Sequence, residues 1–165
     1  MIEEKEKVPA ETRWTIATQA MTGVTIAHMK ALLDILGEER FYEMEKQIWM
    51  EMGKGIKHIA EVFELTGDDA KSVQLIFHFI SVVAMGPEMK IEFFELTPER
   101  AVTRATECPY WNRQKELGIT LECPVLDEIY TRSIANIFNP RLTDCVVKAL
   151  PRGDSYCEFL MELQK

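Results

Sequence analysis

Cys123 and Asp127 stand one helical turn apart in Glu122-Cys123-Pro124-Val125-Leu126-Asp127. Residues four apart share a helix face, so a thiol and a carboxylate can point the same way. Such a pair can serve as nucleophile and base, or the acid can simply favour a helix start, where negative charge is stabilised. Cys108 precedes Pro109 just as Cys123 precedes Pro124. A thiol at a helix N-terminus meets the positive end of the dipole, which predicts a lowered pKa and a reactive thiolate. Cys157 follows the turn residues Gly153-Asp154 and precedes Glu158-Phe159. The competing reading is that free cysteines are small buried hydrophobes. A cysteine-ligated metal is the third reading and the weakest, because no Cys-x-x-Cys knuckle exists and the gaps from 108 to 123, 145 and 157 are long and irregular. No metal ligand is therefore assigned, and no cofactor is expected.

The three histidines fall one on each of three long helical stretches. His58 shares a face with Glu51, Lys54 and Glu61 and is expected in solvent. His28 lies on the apolar stripe of the first stretch, and His78 lies inside Phe77-His78-Phe79. Buried imidazoles need hydrogen-bond partners, so these two are either satisfied core residues or part of a pocket wall. The pocket reading predicts a cavity between helices and sheet, on the order of 300 Å3 or more, with His78 and at least one cysteine in its wall.

Periodicity supplies the elements that must position these groups. Residues 11–36, 38–64 and 69–85 read as helices. The first turns Ala17, Ala20, Met21, Val24, His28, Ala31, Leu32 and Ile35 to one face. The second turns Phe41, Met44, Ile48, Met52, Ile56, Ile59 and Phe63 to the core. The third is apolar nearly all round and therefore central. Gly53 and Gly55 inside the second helix imply a close helix contact or a kink, since each costs about 1 kcal/mol relative to Ala. Residues 90–96 and 100–107 read as a hairpin, 110–117 and 124–138 as helices, and 142–150 with 155–163 as a terminal hairpin. In that hairpin Val147 and Ala149 are expected on one face, with Cys157, Phe159 and Met161 inward. The fold class is α+β: an N-terminal three-helix unit packed on a four-stranded antiparallel sheet of two β-hairpins with intervening helices. The 165 residues suit a single domain over 1–165, with 1–10 expected flexible, 11–86 the helical half and 87–165 the hairpin–helix–hairpin half.

A net charge of −8 argues against nucleic acid as partner, because that footprint is basic. The longest apolar run, Leu75 to Met85, is too short to span a bilayer, and the charged N-terminus has no signal-peptide core. A cytoplasmic location is expected, where four cysteines are free thiols rather than disulfides. The expected partner is a small molecule, with no membrane involved; a homodimer stays open.

The run Thr106-Glu107-Cys108-Pro109-Tyr110-Trp111, then Gly118, then Cys123 with an acid one turn on, then Gly153-Asp154-Ser155-Tyr156-Cys157-Glu158-Phe159, resembles the L-2-amino-thiazoline-4-carboxylic acid hydrolase family. The terminal motif is also similar to the end of the 4-vinyl reductase domain, a small-molecule-binding α+β module. The resemblance covers about residues 88 to 162; the helical first half matches only in length and character. The turn Pro151-Arg152-Gly153-Asp154 is less Gly-rich than the hydrolase pattern, and the spacing from Cys123 to Asp127 differs from it by about one residue. The resemblance implies a domain that opens a thiazoline ring, or a non-catalytic sensory module.

Opening a cyclic amidine that carries a carboxylate needs a base or nucleophile, an acid for the leaving atom, and a cation for the carboxylate. The candidates are Cys123, Asp127 and Cys108 as catalytic groups, and His28, His78, Arg104, Trp111 and Cys157 as ligand-binding groups, with Arg132 as a second possible carboxylate clamp.

Overall fold

The computed structural model describes residues 7–165. The expectation of flexibility over 1–10 falls in part on residues 1–6, which lie outside the described residues.

Helix α1 (Ala10–Leu36) runs from Pro9 to Gly37. Its inward stripe is Thr18, Thr22, Ile26 and Met29, not the apolar stripe expected from the sequence. Met21, Val24, His28 and Ile35 face outward. The threonines can go inward because their hydroxyls bond back to their own helix, Thr18 Oγ1 to the Trp14 carbonyl and Thr22 Oγ1 to the Thr18 carbonyl, each at 2.9 Å. Their methyls are then free to pack. Gly86, with φ 80°, closes against Thr18, and a Cβ there would collide with the threonine side chain.

Helix α2 (Glu38–Val62) buries Phe41, Glu45, Gly53, Ile56 and Ala60. Ile48, Met52, Ile59 and Phe63, expected in the core, are exposed. The inward face is set by Gly53, where helix α5 (Cys123–Phe138) approaches so closely that a Cβ would strike Ser133 Oγ. Gly55 meets nothing, so only the first of the two glycines marks the contact. Helix α3 (Ala70–Met85) opens on a capping box, in which the Ser72 N–H donates to Asp69 Oδ1 at 2.7 Å and the Asp69 N–H donates to Ser72 Oγ at 3.2 Å. It is central, touching α1, α2, α5 and three strands.

The strands β1 (Lys90–Leu96), β2 (Arg100–Glu107), β3 (Leu142–Lys148) and β4 (Cys157–Leu163) form one antiparallel sheet in the order β1-β2-β4-β3. The two hairpins therefore lie side by side, with β2 and β4 in the middle. Ala105 is paired with Cys157 and Thr103 with Phe159, so the inward faces of the central strands meet in register. Helix α4 (Pro109–Leu117) and α5 connect the hairpins. The fold is α+β, as expected.

Cys157, Phe159 and Met161 alternate inward along β4. Val147 departs from the expectation and points outward, 50 % exposed. An irregularity in the β3–β4 register between Val146 and Lys148 shifts the alternation, so that Leu142, Asp144, Val146 and Ala149 are the inward residues. Among the described residues no helix is long and apolar enough to cross a membrane.

Candidate functional site

The site is built where α4 and α5 begin. Cys108 is the residue before α4, and Cys123 is the first residue of α5. Gln114, fully buried on α4, accepts the Leu121 N–H at 2.8 Å through Oε1. The Tyr42 hydroxyl of α2 accepts the Glu122 N–H at 2.6 Å. Gly118, left-handed at φ 64°, ends α4 and lets the chain turn back. These three devices bring the two Cys-Pro starts to the same place, beneath the end of β4 that carries Cys157.

The result is an enclosed cavity of about 60 Å3 between the helical half and the sheet, with Cys108, Cys123, Cys157 and Asp127 in its wall. Trp111 and Pro151 close one side, and Gln74, Phe77 and Met85 of α3 close another. The wall is mostly apolar and contains no lysine or arginine. It is smaller than the expected cavity. A wider groove of about 370 Å3 lies beside it, between α1, α2 and α3, and shares Met29, Trp49, Ser81, Met85 and Tyr110 with it.

Burial rules the electrostatics. Asp127 is pushed up to about 7, chiefly by desolvation and then by the nearby Asp144 and Glu128 carboxylates. The thiolate-favouring effect expected at Cys108 and Cys123 is reversed. Cys108 rises to about 12 through burial, although the Trp111 and Tyr110 N–H groups donate to it. Cys123 is raised further, by burial first and then by the Asp127 carboxylate. Cys157 rises to about 11, again through burial, and accepts the Leu150 N–H at 3.3 Å. A helix N-terminus favours an anion by about 1 kcal/mol, too little to offset desolvation of this size.

Two amide atoms on the wall lack partners: Gln74 Oε1 and Gln114 Nε2. The other end of each amide is engaged, Gln74 Nε2 with Thr103 Oγ1 at 3.0 Å and Gln114 Oε1 with the Leu121 N–H. An unpaired buried polar atom costs about 1–3 kcal/mol, so each is an unmet demand at the cavity. The sequence reasoning missed both. The signal was available for Gln74, a polar residue within the apolar run of α3.

The remaining candidates lie elsewhere. Arg104 is on the opposite face of the sheet, bonded to Glu158 at 2.7 Å, with its guanidinium 3.9 Å from the Phe94 centroid and 4.8 Å from that of Tyr156. Strand alternation puts it there, because Thr103 and Ala105 on either side face inward. Arg132 is exposed. His78 packs against Phe93 with centroids 4.6 Å apart, outside both the cavity and the groove, and burial lowers its pKa. His28 is exposed and lines the groove rather than the cavity. Despite the three thiols, no group of three or more His, Cys, Asp or Glu among the described residues is arranged to hold a metal ion.

The family model for L-2-amino-thiazoline-4-carboxylic acid hydrolase matches residues 16–161. The chain belongs to this family. The match takes in α2 to β3 entire and most of α1 and β4, so the hydrolase family covers the helical half as well as the motif-bearing half. No curated protein matches the sequence. Among solved structures, the chain is similar to the phenol-responsive sensory domain of the transcription activator PoxR, in a crystal structure with phenol. The TM-score is 0.63 at 12 % identity, over 86 % of this chain and 74 % of that one. That likeness establishes a shared fold. The family's named substrate carries a carboxylate, and the cavity of this member offers no cation to receive one.

Proposed function

We propose that this chain binds a small molecule without a carboxylate in the cavity and that Asp127 is the acid–base group acting on it, in hydrolytic opening of a cyclic C–N bond. One observation carries the reading: the Asp127 carboxylate lies in the wall of an apolar cavity with its pKa near 7. A general base works best when its pKa lies close to the working pH. The thiols lie far above that pH, so the nucleophile is water activated by Asp127 rather than a thiolate. The proton taken from water returns from Asp127 to the leaving ring nitrogen. Gln114 Nε2, which lacks a partner, donates to the negative charge that builds on the substrate. Cys108, Cys123, Cys157 and Trp111 shape the site and exclude water.

The test is turnover of cyclic amidines that lack a carboxylate, 2-aminothiazoline first. Asp127→Asn should lower kcat by about 100-fold or more, while Cys123→Ser should change it less than about tenfold. Equal losses in both variants would move the chemistry to the thiol.

A second reading, ligand sensing without catalysis, is favoured by the apolar wall and by the fold shared with the PoxR sensory domain. It predicts saturable binding of uncharged ring compounds with no turnover, retained in Asp127→Asn.

A further inference from the structure

The groove between α1, α2 and α3 has a chemistry of its own. Glu45 of α2 is 5 % exposed and lines it. The Trp49 Nε1–H donates to Glu45 Oε2 at 3.0 Å, one helical turn away. That bond fixes the indole as the centre of an aromatic cluster. The Tyr130 ring stands 5.5 Å from it at 75°, and the Tyr110 ring 6.3 Å from it at 78°. All three rings line the groove. The remaining wall is soft and apolar, with Met29 and Met85 prominent, and no lysine or arginine contributes to it. Glu45 is the only carboxylate among its lining residues, which also include His28.

A carboxylate buried without a cationic partner is expensive, and such groups are ordinarily paired. Trp49 supplies one hydrogen bond but no charge. An indole bonded to a carboxylate, with two tyrosine rings packed edge-to-face on that indole and all lining one groove, brings together what a compact organic cation requires: aromatic surface for its alkyl-ammonium groups and an anion for its charge. Methionine walls adapt to its methyl groups. A volume of about 370 Å3 falls within the range of small-molecule sites. The net charge of −8 raises the local concentration of such a ligand.

We propose that this groove is a binding site for a small organic ammonium ion, held by Glu45 and the Trp49–Tyr110–Tyr130 cluster. The groove adjoins the Asp127 cavity and shares Trp49 and Tyr110 with it, but Glu45 lines the groove alone and the ammonium site does not require turnover at Asp127.

Calorimetry with choline and with its neutral isostere 3,3-dimethylbutanol tests the assignment on the intact chain. Choline should bind saturably, and the isostere at least tenfold more weakly. Glu45→Gln keeps an acceptor for the Trp49 N–H and should retain the native melting profile, yet lower choline affinity at least tenfold. Tyr130→Leu should weaken choline more than the isostere. Equal affinity for the two compounds overturns the proposal, as does unchanged choline binding in Glu45→Gln or no saturable choline binding at all.

Discussion

A thiol at the first turn of a helix gains about 1 kcal/mol of preference for its ionised form. At Cys108 and Cys123 that preference is present and insufficient. Each sulfur faces an apolar cavity next to Asp127, and both are held well above the ordinary thiol value. Reactivity should follow exposure. Cys145 is the exposed cysteine, and native-state labelling near pH 8 should modify it first, with the three cavity thiols slower by about a hundredfold or more, as expected when the thiolate is scarce. Denaturant should bring all four to one rate. Rapid native labelling of Cys108 or Cys123 would contradict the enclosed cavity. Asp127 gives a second prediction at this scale. A base must be unprotonated to act, so turnover should rise with pH through a midpoint of about 7 and then level. Asp127→Asn should lose that limb along with most of the rate. The pairing of Cys123 with Asp127 was readable from their spacing. The sign of the thiol shift was not, because burial is a property of the assembled wall.

Among the elements, the helices were legible and their faces were not. Boundaries follow from local chemistry: Pro9, Gly37, Asp69 with Ser72, Gly86 and Gly118 each act within a turn. Faces depend on the partner. In α1 apolar residues occupy more than one side, and back-bonded threonines can be buried as readily as valine, so periodicity alone points to the wrong stripe. In α2 the glycine gave the better clue. Gly53→Ala should destabilise the fold by about 1–3 kcal/mol through overpacking against Ser133. Gly55→Ala, which meets nothing, should stabilise it by about 0.5–1 kcal/mol through helix propensity. Denaturant midpoints of the two variants decide this; shifts of the same sign would put the α2–α5 contact in the wrong place. Strand alternation sets Arg104 and Cys157 on opposite faces, and it breaks where the β3–β4 register slips before Lys148 and where β1 slips against β2.

For the molecule as a whole, two buried acids govern the response to pH. Asp144 of β3 faces inward under α5, sharing the Thr131 hydroxyl with the Asp127 carbonyl, and is raised to about 7 by desolvation. Asp127 is raised to about the same value. In the unfolded chain such groups ionise near 4. Between about pH 4 and 7 the folded state therefore binds more protons, and stability falls as pH rises across that window before levelling. The loss between pH 5 and 7 should be on the order of 2 kcal/mol for each acid, and Asp144→Asn should roughly halve the slope. Stability that climbs over this window would show that both acids are ionised and paired. The sequence carried the α+β class, the two hairpins and the cysteine positions, because those rest on local patterns. Convergence of Cys108, Cys123, Cys157 and Asp127 depends on long-range packing through Gln114 and Tyr42 that no local pattern encodes. Acid–base chemistry in the cavity depends on the protonation of Asp127. Carbon-13 NMR titration of its carboxyl, with the signal assigned by its loss in Asp127→Asn, should give a midpoint near 7. A midpoint below about 5, the range of an ordinary solvated carboxylate, would contradict it.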